Sequence, residues 1–285
     1  MPRPPTNLHQ RVRDVLQHTS PRLPEADCPI SHFERLAGTG LSSIHYIDVR
    51  LRSAGVYRAV YGRHLGHVRR VVLAEMIEAF EGFLKEVAAI CIDHLAPYVA
   101  DDRFDEFMPR GERIAAFVNA ASIGRALCES DTWLKNKTIN ERFRALLKAP
   151  FGDAWEHLFP DAGQPPATER DRAKTLSILW HIRHNLAHNV GIITHSDSMK
   201  FRVLIGGHVA ADCRLAPTTD DLQYVKRFLS ETASHTNQRI GVRLADLLTE
   251  FHQADPTLFD AQDKANELSR QFAIPLTVDG HVGVI

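Results

Sequence analysis

The sequence lacks the features that announce several common protein classes. No apolar run approaches the ~18–20 residues that cross a bilayer, so no transmembrane helix is expected. Met1-Pro2-Arg3-Pro4-Pro5 has no apolar segment behind it, and a secretory signal is not expected. The four cysteines (Cys28, Cys91, Cys128 and Cys213) lie far apart with no Cys-x-x-Cys, which argues against a disulfide framework and a cysteine zinc site. A soluble protein of the reducing cytoplasm is the expectation. Net charge is also nearly absent: 34 basic and 35 acidic residues leave −1, which excludes wholesale polyelectrolyte behaviour. There is no internal repeat and no low-complexity block. Gly38-Thr39-Gly40-Leu41-Ser42-Ser43 reads as a loop, and no Gly-Lys-Ser/Thr follows it to make a phosphate cradle.

What is present is an ordinary globular composition, 44% apolar over 285 residues, enough to bury a sizeable core. Sixteen histidines are many for this length. Charge is unevenly placed. Residues 1–70 hold eleven arginines against five acids, whereas residues 71–130 hold five basic residues against eleven acidic ones. A basic first quarter suits a phosphate-bearing partner, although a solvated face balanced by acids elsewhere would look the same.

Apolar periodicity predicts mostly helix. Leu8, Val12 and Leu16 suggest a short first helix, followed by a proline-rich stretch at Pro21, Pro24 and Pro29. Residues 44–51 fit strand or helix equally. From about His64 to Val99, Val72, Met76, Phe80, Phe83, Leu84, Val87, Ile90 and Cys91 recur at three- and four-residue steps, which predicts a long helix forming the spine of a bundle. Helices are also predicted over 112–127, from Thr138 through Leu147, and briefly over 153–159. A further helix runs from Thr168 to about Val190 and stops at Gly191. Phe201–Ile205 and Val209–Leu215 flank Gly206-Gly207 and read as a β-hairpin. Thr218 or Thr219 caps a last long helix to about His252, and a short helix near 260–271 precedes an extended end.

The informative stretch is Trp180-His181-Ile182-Arg183-His184-Asn185-Leu186-Ala187-His188-Asn189-Val190-Gly191. On a wheel turning about 100° per residue, His181, His184 and His188 share one narrow face. Leu176, Leu179, Ile182, Leu186 and Val190 make the core-facing stripe, and Arg183 falls inside it. An arginine aimed at an apolar contact must reach water or find an anion, because burying the charge unpaired costs several kcal/mol. One reading pairs it with Glu78 or Glu81 of the long helix and leaves the histidines as surface residues. A second uses His184 and His188, spaced i, i+4, with His181 as zinc ligands. Against the zinc reading, Asn185 stands where His-Glu-x-x-His has glutamate, and no Cys or Asp lies close by to complete a set.

Arg183-His184-x-x-x-His188, on a late helix of an all-α chain, resembles the Arg-x4–6-His motif of the HEPN superfamily (higher eukaryotes and prokaryotes nucleotide-binding domains). Gly191-Ile192-Ile193 resembles the exit of the prokaryotic HEPN ribonuclease motif. Ala79-Phe80-Glu81-Gly82-Phe83-Leu84, within Val72–Leu84, resembles their first core helix, and 141–159 is similar to their middle region. The resemblance spans about 65–255. It divides the chain into a basic N-terminal extension of unassigned role (1–63), a HEPN-like helical domain (64–255) and a tail (256–285).

The resemblance implies a HEPN-like helical bundle, here with the β-hairpin inserted after the motif helix. It further implies dimerisation with two motif helices face to face, and a cleft in which an RNA phosphate supplies the anion Arg183 needs. It implies a metal-independent endoribonuclease without cofactor, leaving a 2′,3′-cyclic phosphate and a 5′-hydroxyl. In that scheme His188 is general base or acid, Arg183 clamps the scissile phosphate and His184 orients or assists. A neutral-range imidazole suits the task, and such catalysis contributes ~10²–10⁴-fold. Defence or toxin-type growth arrest, with an antitoxin or sensor as restraint, is the implied setting. A non-catalytic dimer binding nucleotide, RNA or a protein partner is the alternative within the same superfamily. Val190 stands where the toxin branch often has tyrosine, so chemistry on that tyrosine is not carried over. Arg63, His67, Arg69 and Arg70 are candidates for following RNA backbone through sequence-independent phosphate contacts, or they form a solvated helix face.

Overall fold

The computed structural model describes residues 28–55, 57–100, 103–104, 107, 122–128, 133, 135–148 and 167–279, with backbone alone at 167–170. Among them lie eight helices: α1 (Pro29–Ser53), α2 (Arg58–Leu95), α3 (Ile123–Cys128), α4 (Asn136–Leu146), α5 (Ala167–His188), α6 (His195–Ile205), α7 (Thr219–Ala254) and α8 (Ala261–Phe272). The described chain is all-α, and no helix in it is long and apolar enough to cross a membrane. The expected helices near Leu8 and at 153–159, and most of that at 112–127, fall outside the described residues.

The 38-residue α2 is the spine, packing against α1, α3, α4, α5 and α7. Its predicted stripe is buried at Val72, Met76, Phe80, Phe83, Leu84, Val87 and Cys91. Phe80 meets Phe33 of α1 on one side, with ring centroids 5.9 Å apart, and stacks on Trp180 of α5 on the other, also at 5.9 Å. Each such aromatic contact adds about 0.5–1.5 kcal/mol beyond its area. Residues 28–55 and the C-terminal segment join the same core as the central segment, through Phe33, Ala37 and Ile44 at one end and Leu268, Phe272 and Val278 at the other.

The loop expected over residues 38–43 is instead the middle of α1. Phe33, Ala37 and Ile44 recur at helical spacing and bury, which outweighs the cost of two helical glycines, ~1 kcal/mol each. Gly40 marks a close approach: a Cβ there would lie 3.0 Å from Val72 Cγ1 on α2. Pro29 at the first turn gives up no hydrogen bond, since that N–H lies outside the ladder. The same helix resolves residues 44–51 as α.

The expected β-hairpin is replaced by a helix and a loop. Thr194 and Asp197 form a reciprocal capping box that starts α6, and Gly206, at φ 74°, ends it in the left-handed conformation. Phe201–Ile205 is therefore the last part of α6, its β-branched residues overruled by the caps on either side. Of the hairpin, a single antiparallel bridge between Ile192 and Arg214 remains, pairing the loop with the motif exit rather than with 201–205. The cap at Thr218 is as read: its side chain accepts from Asp221 N while Asp221 answers. All four cysteines are free, with Cys28, Cys91 and Cys128 buried and Cys213 exposed.

Candidate functional site

Helix α5 is held by its apolar stripe. Leu176, Leu179 and Trp180 are buried, and Ile182 and Leu186 pack against the core. Trp180 Nε1 donates to Asn136 Oδ1 (3.1 Å), while Asn136 Nδ2 donates to Ala173 O (2.7 Å), so the first residue of α4 fixes the rotation of α5. Trp180 is thereby anchored in the core.

Arg183 points along the edge of that stripe toward α2. Its Nη2 lies 3.2 Å from Glu78 Oε1, with the arginine side chain 21% exposed and the glutamate 49%. Of the two acids considered from sequence, Glu81 is committed elsewhere: it is buried, accepts from Trp133 N and pairs with Lys85 at 2.9 Å. The Nε of Arg183 is buried with no hydrogen-bond partner among the described residues. One N–H of the guanidinium thus lacks an acceptor although the group as a whole has a counter-charge.

The three histidines separate into two environments. His184 and His188 are exposed one turn apart, with ring centroids 4.6 Å apart and planes tilted by 48°. His181 is half-buried with its ring edge-on to Phe201 of α6, centroids 6.2 Å apart. Burial, with Lys200 and His184 adding to it and Asp197 opposing, holds the His181 imidazole below the ordinary histidine range. No group of three or more His, Cys, Asp or Glu converges on a metal position among the described residues.

Sequence reading missed what locks the end of this helix. Asn185 is fully buried and donates from Nδ2 to Ile192 O (2.6 Å) and to Asp197 Oδ2 (3.0 Å). Asn189 Nδ2 donates to the same carboxylate oxygen at 3.2 Å, and Thr194 Oγ1 at 2.7 Å. Burial opposes ionisation at Asp197, but hydrogen bonds from Thr194 and Asn185, with Lys200 nearby, outweigh it and hold the carboxyl below the usual range. Beyond His188 the chain reverses through Val190 (φ 53°) and Gly191 (φ 78°), where a Cβ on Gly191 would lie 3.2 Å from Leu186 Cδ2. The signal was available in Thr194-x-x-Asp197, a capping-box spacing hidden by the β-branched run after it.

The four candidate RNA-contact residues on α2 do not all share one face. Arg63 and His67 are exposed, and Arg70 joins their face at helical spacing i, i+4, i+7. Arg69 turns away to donate from Nη2 to Thr219 Oγ1 (2.9 Å) at the start of α7. Arg70 lies against the Gly191 turn, its Cδ 3.2 Å from where a Cβ of residue 191 would sit. Arg183 against Glu78 and Gly191 against Arg70 are each eight residues apart on their own chain segments, so α5 and α2 run antiparallel here. The face of α2 beneath the motif carries a glutamate at one end and an arginine about 12 Å away at the other.

No family model matches the chain, and neither a curated protein nor a solved structure matches it.

Proposed function

We propose that the protein is a metal-independent endoribonuclease of the HEPN kind, acting as a homodimer. The observation that carries the reading is the exposed His184–His188 imidazole pair at the end of a rigidly held helix, on the same turn and a half as the Arg183 guanidinium. His188 takes the ribose 2′-hydroxyl proton or protonates the leaving 5′-oxygen. The O2′ attack on phosphorus then expels the 5′-oxygen as a hydroxyl and leaves a 2′,3′-cyclic phosphate. Arg183 neutralises charge developing on the phosphoryl oxygens, and His184 orients its neighbour. Glu78 is about half in solvent, so a phosphate can compete with its carboxylate for the guanidinium. Met199 (58% exposed) and Val203 (82% exposed) form an unpartnered apolar strip on α6, beside the motif exit, that suits a second copy.

The decisive test is incubation of the purified protein with mixed RNAs in EDTA, followed by end-group mapping. Cleavage to cyclic-phosphate ends that is lost in His188→Ala and Arg183→Ala, with the dimer retained, is the expected result. No cleavage by wild type, or cleavage that returns only with added zinc, refutes it.

A second reading is a non-catalytic HEPN dimer that binds nucleotide, RNA or a protein partner. It is favoured by one observation, that Arg183 already has an anion, Glu78, within its own chain. RNA binding without cleavage, unaffected by His188→Ala, would establish that reading.

A further inference from the structure

We infer that Arg70 and Arg214 together form a phosphate site at the His188 end of the motif helix, built to hold a backbone phosphate of a nucleic-acid strand. The inference takes its ligand class from the RNA reading above but does not depend on cleavage.

The two arginines come from segments 144 positions apart and are brought together by backbone. Gly191 O accepts from Leu215 N at 2.8 Å and Ile193 N donates to Cys213 O at 2.8 Å, which fixes Arg214 opposite Ile192. Arg214 is exposed. Arg70 reaches the same place from α2. Its stem lies on Gly191, where a Cβ would approach to 3.2 Å, and its Nη1 lies over Gly66 at ordinary contact distance. Its one hydrogen bond among the described residues, from Nη1 to Leu215 O, is 3.5 Å long and weak.

Charge of one sign is concentrated here, because Arg214 is near enough to act on Arg70. Arg52 has Asp48, Arg183 has Glu78 and Arg243 has Glu250. Neither Arg70 nor Arg214 pairs with a carboxylate among the described residues. Burial, and then repulsion from Arg214, push Arg70 below the ordinary arginine range. Bringing two guanidiniums together without an acid costs free energy in the empty protein and is recovered when a bidentate anion enters. Phosphate matches that fork geometry.

Position along the helix supplies the rest. The site lies beyond His188, about 12 Å along α2 from the Glu78–Arg183 contact, on the side where Arg63 and His67 continue the same face. A strand whose reacting phosphate sat at Arg183 would bring a phosphate from further along its backbone here.

The test is fluorescence anisotropy with a labelled 2′-O-methyl RNA oligomer, which cannot be cut, across a salt series. Wild type is compared with Arg214→Gln, Arg70→Gln and Arg70→Lys, each checked by thermal melting. Arg214→Gln sits on an exposed loop and tests the site even if the Arg70 variants fold poorly. Its expected effect is an affinity loss of about three- to tenfold and a salt slope reduced by about 0.7 for the phosphate contact removed. Unchanged affinity and slope in folded Arg214→Gln overturn the inference. So does a site at which millimolar inorganic phosphate raises the wild-type melting temperature, through Arg214, while RNA binding ignores the substitution. Arginine-dependent binding by a protein that never cleaves RNA leaves this site standing and removes the nuclease.

Discussion

Arg183 and Glu78 face each other across the α5–α2 contact at 3.2 Å, one mostly buried and the other half in solvent. The asymmetry defines what the pair does. The arginine has its Nε buried, while the carboxylate neutralises a charge that could equally be met by a ligand. Glu78→Gln is expected to lower folding stability by less than about 1 kcal/mol in urea titrations. On the nuclease reading it also tightens binding of uncleavable RNA by about two- to threefold, through loss of a competing carboxylate. Weaker RNA binding in this variant would mean that the ion pair itself shapes the site.

Asp197 gathers donors from Asn185, Asn189 and Thr194, so removing it strands buried amides. Asp197→Ala is expected to cost about 2–3 kcal/mol by chemical denaturation and to loosen amide-exchange protection across Asn185–Ile193. Because its carboxyl sits below the usual aspartate range, its contribution is complete above that range and is lost as pH falls through the lower folded value. An Asp197→Ala protein as stable as wild type at neutral pH would contradict this account.

His94 gives the same sign for a different reason. It is buried at the α2–α8 contact, with Nε2 2.6 Å from Gln271 Oε1, and burial is the main cause holding its pKa below the ordinary value despite Gln271 and Glu267. As pH falls through the ordinary histidine range the unfolded chain takes up a proton that the folded one refuses, so stability declines toward acid. The slope attributable to this group reaches at most about 1.4 kcal/mol per pH unit. Replacing it by His94→Gln should flatten the wild-type stability profile between about pH 6.5 and 5.

Val190 is a β-branched residue held at φ 53° and 68% exposed, in the turn that follows the motif. A left-handed conformation costs such a residue on the order of 1–2 kcal/mol. Val190→Gly should raise the melting temperature or leave it unchanged despite the added chain entropy. A clear fall would show that the valine side chain contributes more than its backbone strain takes away.

Much of the scaffold was legible because it rests on repetition. The α2 stripe from Val72 to Cys91, the cap at Thr218 and the stop at Gly191 are local patterns, and local patterns are what a sequence displays. Gly38 and Gly40 misled because glycine was read as punctuation, whereas Gly40 is needed for α1 to lie close to Val72. Val203 and Ile205 misled because β-branching was weighed above the Thr194–Asp197 box that decides the element. Glu78 and Glu81 could be named from sequence as examples of acids on the long helix able to meet Arg183, but choosing Glu78 required knowing that Glu81 is taken by Trp133 and Lys85. Arg70 and Arg214 could not have been joined from sequence, since only the bridge between Ile192 and Arg214 brings their segments together.

That bridge also places Cys213 at the motif exit. Burial pushes the thiols of Cys91 and Cys128 up, the latter to about 12, and makes them inert to thiol-directed reagents, while Cys28 is enclosed at the start of α1. A maleimide dye added to the native protein would therefore report from Cys213, one residue from Arg214, turning an accident of cysteine placement into an optical sensor of whatever binds beside it.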